Sequence, residues 1–439
     1  MATGGTGGDG GAPAVGYADV LRAPFAARLL TGTLVGRLPH VTGPVAIVLF
    51  TRAEGGSYSL AGGLAAAYGL ATAVGQPLLG RAVDLKGQPR VQLPAAVVSA
   101  LGMVLLAFAG IGTLPVAYAA VVVAGLFTPP LEGGLRALWP SVLGREALVH
   151  RAYALDAIAQ EVMFTVGPLL ITVVVAIGSE AAALLVINVL GILGALAVVA
   201  SEPSRTWRSA PREAHWLGAL RSPALLVVFA AFLFVGIALG SITVAGVAYA
   251  EDHGRDAIYG WLLAALSFGA LVGGAVYGAR QWAGAPEPRL QVIVAGLTLG
   301  YLPLALTPGV VPMLLLATVS GLCLAPALAC SFIVIDRHAP RGTVTEAFSW
   351  LVTTFGAGAA VGTAVTGPVV EGAGTSWGFV VPGAAGFAAL LALTVGRRPL
   401  VRPRRGEDVA ARKTGPVVER VEIDRNGAPE PGFSSGREA

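Results

Sequence analysis

The sequence predicts an all-α integral membrane protein, with twelve transmembrane helices arranged as two pseudo-symmetric six-helix bundles. The chain has 439 residues, of which 55% are hydrophobic and only 12% charged, and its mean hydropathy is +0.74. Soluble domains carry about 25% charged residues. Runs of roughly twenty apolar residues, long enough to cross a bilayer core of about 30 Å, recur along the chain. A weak internal repeat is the third observation.

Twelve apolar runs lie between charged or turn-rich breaks, and each is predicted to form one spanning helix. They cover residues 26–50, 57–79, 91–113, 115–138, 151–176, 181–201, 222–248, 257–280, 289–309, 311–334, 343–371 and 375–396. A polar break divides the runs six and six. The predicted parts are therefore an N-terminal tail (1–25), a first bundle (26–201), a linker (202–221), a second bundle (222–396) and a disordered tail (397–439).

The basic residues of the internal loops are distributed unevenly between the two sides of the membrane. If the N-terminus is inside, thirteen of them lie on that side, and only Arg52 and Arg255 lie on the other. The positive-inside rule then predicts that both termini are cytoplasmic. We expect a multi-pass protein of a bacterial cytoplasmic membrane.

Three pairs of segments support a duplicated six-helix unit. The segment AGLFTPPLEG (124–133) resembles SGLCLAPALA (320–329), so that Gly125 and Pro130 lie over Gly321 and Pro326. Two further pairs follow at nearly the same offset. Residues 152–167 lie over 347–362, and PRVQ (89–92) lies over PRLQ (288–291).

The stretch GRAVDLKGQPR (80–90) contains Gly80, Asp84 and Gly87, with Lys86 and Arg90 beside them. With the six-plus-six repeat, this spacing resembles the loop signature of the major facilitator superfamily, although Leu85, Gln88 and Pro89 stand where basic residues are usual. The resemblance covers roughly residues 26–396. It implies two bundles that rock about a central cavity, with Asp84 and its basic neighbours forming a breakable latch near a helix N-terminus. A simple positively charged loop is the alternative.

Other segments give a mixed resemblance to the proton-driven exporters of that family. Gly167 and Pro168 resemble the Gly-Pro core of an exporter motif in the fifth span, but tight helix packing explains them equally well. Val121 stands in the fourth span where drug/proton exporters usually carry Arg, which weakens the exporter hypothesis.

Prolines occupy matching places in the fourth and tenth spans, at Pro129, Pro130 and Pro326. Breaks at corresponding places of two repeats indicate a transporter's binding region. The alternative is that proline is simply tolerated in spanning helices.

Several ionisable residues lie inside predicted spans of the first bundle, among them Arg37, Glu132, Arg136, Asp156 and Glu161. Inserting such a side chain near the bilayer centre costs about 3 kcal/mol by insertion scales, so we expect each to have an interaction partner or a function. We expect Arg37 to interact with Glu161, and Glu132 to pair with Arg136 at i,i+4 and reach Asp156. Acids that share a buried cation can act as a proton switch. A static network that only holds the bundle together is the alternative.

The candidate cavity residues are His40, Trp350 and Thr353, although packing or capping is the better explanation of His40. The spans of the second bundle carry hydroxyl groups and tryptophans, while their acids lie near the span ends. This composition favours an uncharged or amphiphilic solute, including a cationic one, over a phosphate or a dicarboxylate.

The sequence thus predicts a secondary active transporter, with proton-coupled export of small organic molecules as the first hypothesis. Proton-coupled or facilitated uptake of a sugar or metabolite is an alternative, and a transport-inactive membrane sensor or scaffold is another. We expect no enzyme, cofactor, metal or nucleic-acid partner, because the sequence has neither a GxxxxGK[ST] phosphate loop nor metal-ligand spacing. The expected partners are a small-molecule substrate, protons and the lipid bilayer, and family resemblance implies a monomer.

Overall fold

A computed structural model describes residues 16–211, 217–255, 257–280, 282 and 284–401. The regular structure of these residues is helical throughout. The helices are α1 (Tyr17–Arg22), α2 (Ala26–Gly36), α3 (Leu38–Ala53), α4 (Tyr58–Lys86), α5 (Gln88–Ala109), α6 (Leu114–Leu126), α7 (Leu131–Leu143), α8 (Glu146–Ile177), α9 (Glu180–Val199), α10 (Glu202–Thr206), α11 (Pro223–Asp252), α12 (Ala257–Ala279), α13 (Pro286–Tyr301), α14 (Val310–Gly321), α15 (Leu324–His338), α16 (Val344–Ala373), α17 (Thr375–Val395) and α18 (Arg397–Val401). Two short 3-10 helices cover Gly218–Arg221 and Leu302–Leu306.

The described helices account for the twelve predicted spans. Ten stretches are both long and apolar enough to cross a membrane, and several of them are broken helices such as α2–α3, α6–α7 and α14–α15. The other two crossings are α4, with 29 residues, and α8, with 32 residues, which are long but carry several charges. The prediction of an all-helical membrane fold is therefore confirmed. The predicted domain limits stay a prediction.

Several spans are broken near mid-depth. The fourth span is interrupted between α6 and α7, where Pro129 and Pro130 stand, and the tenth span is interrupted at Leu322–Cys323, just before Pro326. The first span is also broken, because α2 ends at Gly36 and α3 begins at Leu38. Arg37 lies in this unpredicted break.

The stretch 80–90 differs from the predicted loop. Helix α4 continues through Asp84 to Lys86, and the turn into α5 consists of Gly87 alone. Its φ of +85° lies in a region that favours glycine. The helix can continue because Asp84 is not exposed to lipid but is buried against α16, as described below.

Segments predicted as tails and linker also contain short helices. Helix α1 lies within the predicted N-terminal tail, and α10 and the first 3-10 helix lie in the predicted linker. The last helix, α18, begins the predicted C-terminal tail. The rest of that tail, residues 402–439, lies outside the described residues, and so does the prediction that it is disordered.

The spans cross back and forth between two ends of the molecule. We call the end at which Tyr17 and Val401 lie the termini end, and the other the far end. One continuous apolar core runs through the second half (α11–α17), and at the termini end it joins the first half (α2–α9). At this junction it includes Trp139 and Tyr153 from the first half and Phe332 and Phe348 from the second. Toward the far end the first half has a separate core of its own, around Phe50, Leu64 and Tyr68. The halves are thus packed together at the termini end.

Candidate functional site

Four charged side chains meet in the interior of the first half. Arg37 Nε lies 2.8 Å from Glu132 Oε1, and its Nη1 lies 3.5 Å from Asp156 Oδ1. Arg136 contacts the same two acids, with Nε 2.6 Å from Asp156 Oδ2 and Nη2 3.5 Å from Glu132 Oε2. Each arginine therefore bridges both carboxylates. We call Arg37, Glu132, Arg136 and Asp156 the charge network.

The helices that meet here place the charges for identifiable local reasons. Arg37 is brought inward at the break between α2 and α3. Glu132 stands in the first turn of α7, where the backbone N–H groups that follow the Pro129–Pro130 break favour a negative charge. Arg136 follows one turn later on the same face. Asp156 projects from the first half of α8.

Gln160 completes the arrangement, one turn along α8 from Asp156. Its Oε1 accepts hydrogen bonds from Nη2 of Arg37 at 3.4 Å and from Nη2 of Arg136 at 3.2 Å. All these side chains are less than a tenth exposed. With both acids ionised the network carries no net charge, which is the condition under which such a cluster can be buried.

Not every polar atom of the network is well aligned. Nε and Nη1 of Arg37 and Oδ1 of Asp156 are buried without a hydrogen bond of good geometry, although opposite charges stand close to them. Removing one member of a buried ion pair costs about 3–5 kcal/mol, because it leaves its partner uncompensated. The network is thus held electrostatically, yet its hydrogen bonding leaves room for rearrangement.

The structure separates Glu161 from the partner predicted for it. The ion pairs of Arg37 among the described residues are with Glu132 and Asp156. Glu161 follows Gln160 on α8 and is itself buried. Because successive helical residues point about 100° apart, Glu161 cannot share the face that Asp156 and Gln160 present to Arg37.

The predicted cavity residues have different surroundings. His40 is partly buried on α3, and its Nδ1 has no hydrogen-bond partner in the part of the chain that the structure describes. Trp350 is partly buried on α16. The Thr353 hydroxyl donates a hydrogen bond of 3.1 Å to the carbonyl oxygen of Ala73 on α4, so it bridges the two halves.

Asp84 joins the two halves at the termini end. Its carboxylate accepts hydrogen bonds from the backbone N–H groups of Thr345 (3.1 Å) and Glu346 (2.9 Å), in the first turn of α16. The Asp84 carboxylate therefore lies at a helix N-terminus, whereas Arg90 is exposed and makes no described ion pair. The role of this stretch as a latch stays a prediction. Gly80 permits the close approach, since a Cβ there would lie 2.5 Å from Ser349 Oγ.

A second contact between the halves was not predicted. Arg151, near the start of α8, donates hydrogen bonds to the carbonyl oxygens of Gly278 (3.0 Å) and Ala279 (3.3 Å) at the end of α12. Tyr17 on α1 donates from its hydroxyl to the carbonyl oxygens of Gly274 and Ala275. A cation at a helix C-terminus and an anion at a helix N-terminus are both favourable, so Arg151 and Asp84 act in complementary ways.

The remaining predicted packing residues lie away from these contacts. Gly167 packs against α3, where a Cβ would come within 2.9 Å of the Thr42 side chain. Pro168 lies within α8, but its side chain is outside what the structure describes. The described residues include no cluster of three or more His, Cys, Asp or Glu side chains arranged to hold a metal ion.

Gln160 and Arg151 are the main functional candidates that sequence reasoning missed. Gln160 could have been found from its i,i+4 spacing to Asp156 on a buried helix face. Arg151 was counted only among the basic residues that set the topology. No feature of a single sequence shows that it faces the end of α12.

Comparisons with known proteins agree with this architecture. The sequence profile of the Major Facilitator Superfamily matches residues 31–315. No protein with a curated description matches the sequence. Several solved structures resemble the fold, all at low identity.

A bacterial homologue of the iron transporter ferroportin in an outward-facing state is 15% identical with a TM-score of 0.65, and covers 85% of this chain and 99% of its own. The human organic anion transporter MFSD10 is 15% identical with a TM-score of 0.61, and covers 84% and 98%. The E. coli fucose:proton symporter FucP is 15% identical with a TM-score of 0.62, and covers 85% and 98%.

Proposed function

Because the chain belongs to the Major Facilitator Superfamily, a family of membrane transporters, we propose that it is a proton-coupled secondary active transporter that exports small organic molecules by alternating access. Its helices make it a multi-pass membrane protein, and transporters of this family bind small-molecule substrates. The proposal concerns the coupling ion, the direction and the class of substrate.

The observation that carries proton coupling is the charge network. Two carboxylates and two guanidinium groups are buried together across α7, α8 and the break of the first span. A proton that binds Glu132 or Asp156 would leave a net positive charge in a poorly solvated site. Such a charge is costly to bury, so protonation favours a conformation in which water or substrate reaches the network.

The closed termini end supports an assignment of the conformational state. The basic loops lie at this end, so the positive-inside rule favours placing it on the cytoplasmic side of a bacterial cytoplasmic membrane. Both termini would then be in the cytoplasm. On this basis the described conformation is closed to the cytoplasm. Export would then proceed by release of Asp84 and Arg151 from α16 and α12, followed by substrate entry from the cytoplasm.

One observation favours a second candidate, proton-coupled uptake. Val121 lies on α6 where exporters of the drug/proton type usually carry Arg, and it is buried among apolar residues. The same charge network would serve symport, with proton and substrate entering together from the far end. Direction therefore has to be measured.

The test uses acid-loaded inverted vesicles and a panel of amphiphilic cations, neutral antibiotics and sugars. We expect one class to release protons from wild-type vesicles, and the Glu132→Gln variant not to respond. Glu371→Gln is the matched control, because Glu371 is exposed and lies outside the network. Glu161→Gln tests the second buried carboxyl. If radiolabelled solute crosses without proton movement, the exporter proposal is wrong and facilitated transport replaces it.

A further inference from the structure

Four buried side chains meet at the pseudo-twofold axis that relates the two halves. At the repeat offset of 196, Arg136 corresponds to Phe332, and at the offset of 195, Tyr153 corresponds to Phe348. Residues that such an axis interchanges can touch each other only if they lie close to it. Both pairs do so, with the Arg136 guanidinium carbon 3.8 Å from the Phe332 ring centroid and the Tyr153 and Phe348 centroids 6.1 Å apart.

These residues form one compact group, which we call the axial cluster. Phe332 also packs edge-on against Tyr153 and Phe348, at centroid distances of 6.0 Å and 6.2 Å. Each of the four side chains is at most 1% exposed. The cluster therefore belongs to the core that joins the two halves at the termini end.

Arg136 belongs both to the axial cluster and to the charge network. Its Nε pairs with Asp156 at 2.6 Å, and its Nη2 with Glu132 at 3.5 Å. The central carbon of the same guanidinium lies over the ring of Phe332, which belongs to α15 in the second half. Phe348 is farther away, with its centroid 5.9 Å from the guanidinium carbon. A single side chain thus joins the acids of one half to an aromatic ring of the other.

This arrangement makes the closed end sensitive to the charge of the network. While both acids are ionised, Arg136 is neutralised and its guanidinium carbon stays over the ring, and a desolvated cation–π contact of this kind is strong. When one acid is neutralised, by a proton or by a cationic substrate group, two guanidinium groups share one carboxylate in a dry site. Separating the halves admits water to Arg136 and relieves that cost.

We propose that Phe332 is a positioning residue that transmits the charge state of Glu132 and Asp156 to the second half, by holding the Arg136 guanidinium on the axis. The inference rests on the proposed function, since it names how the proton site would control access. Weakening the ring contact should let the termini end open when fewer of the acids are neutralised, and therefore at higher pH. Two other ionisable groups interact electrostatically with these side chains, His40 with Glu132 and Asp336 with Tyr153.

The experiment alters the ring without altering its shape. Phe332 is replaced by fluorinated phenylalanines of increasing fluorine number, which withdraw electron density from the ring face, and the same series at Phe348 is the matched control. Spin labels at positions 145 and 341, both exposed at the termini end on opposite halves, report the separation by pulsed electron resonance. The native Cys323 and Cys330 are replaced beforehand.

We expect the most fluorinated Phe332 ring to lower the ratio of closed to open protein about tenfold, because fluorination removes part of a desolvated cation–π contact. The pH at which half the molecules open should rise by about one unit. The Phe348 series should change either quantity less than about twofold, because its ring stands farther from the guanidinium. Equal effects of the two series would overturn the proposal.

A double-mutant cycle separates this inference from the proposed function. In an Asp156→Asn background, where Arg136 has lost its closest carboxylate, fluorination of Phe332 should have less than a third of its wild-type effect on the closed-to-open ratio. Glu132→Gln serves if Asp156→Asn does not fold. If fluorination of Phe332 keeps its full wild-type effect in the Asp156→Asn and Glu132→Gln backgrounds, the contact with the Phe332 ring does not depend on the charge of these acids. If the wild-type opening does not depend on pH, proton coupling fails, whereas the cycle still decides the role of Phe332.

Discussion

The Asp84→Asn substitution should release the closed end of the molecule. The Asp84 carboxylate accepts two backbone hydrogen bonds from the first turn of α16 and is only 8% exposed. Asparagine can keep one acceptor, but its amide group would face the second N–H without accepting from it. Hydrogen bonds to charged groups contribute about 1.5–3 kcal/mol, and a carboxylate at a helix N-terminus adds about 0.3–1 kcal/mol.

In the open state Asp84 would be solvated, so the penalty falls on the closed state alone. Allowing for the acceptor that asparagine retains, we expect a loss of about 2 kcal/mol, which corresponds to about a 30-fold lower ratio of closed to open protein. The separation of spin labels at positions 145 and 341 measures this ratio. Lys86→Ala is the control, because Lys86 is exposed two residues further along α4. An unchanged distance distribution in Asp84→Asn, or an equal shift in Lys86→Ala, would refute the reasoning.

Three further predictions concern the same closed end. Gly80→Ala should also favour the open state, because its Cβ would lie 2.5 Å from Ser349 Oγ, whereas Gly62→Ala on the same helix meets no atom within 4 Å and should leave label separations unchanged. Arg151→Gln should lower the closed-to-open ratio about fivefold, since it removes a charge from the end of α12, and Arg151→Lys should recover part of the loss. Tyr17→Phe should lower the closed-to-open ratio by less than about tenfold, because it removes one neutral hydrogen bond between the halves. Equal ratios in wild type and variant would show that Tyr17 does not stabilise the closed state.

The sequence predicted the number and order of the spans because long runs of mostly apolar residues mark the segments that can be buried in a membrane. It failed at the stretch 80–90, where charge was taken as a sign of a loop. Arg81 to Lys86 are compatible with a helix, and Asp84 finds its partners on α16, more than 250 residues away. A contact of that kind leaves no periodic signal near either residue.

The charge network shows a similar limit. Depth along a helix can be estimated from residue counts, and it placed Arg37 and Glu161 at the same level. Direction around the helix axis decides which acid faces Arg37. It also depends on the break at Gly36–Arg37, which Pro39 at the second position of α3 could have indicated. The i,i+4 relation of Glu132 and Arg136 was accessible because it needs only local geometry.

The most direct test of the account compares driven transport with simple exchange in proteoliposomes, using the substrate found in the vesicle panel. For wild type, we expect a pH gradient to drive accumulation of the substrate. The Glu132→Gln variant should lose this accumulation but still exchange labelled for unlabelled substrate across the membrane, because exchange requires binding and alternating access without net proton transfer. Accumulation that survives in Glu132→Gln at the wild-type level would contradict the claim that the buried charge network couples protons to transport.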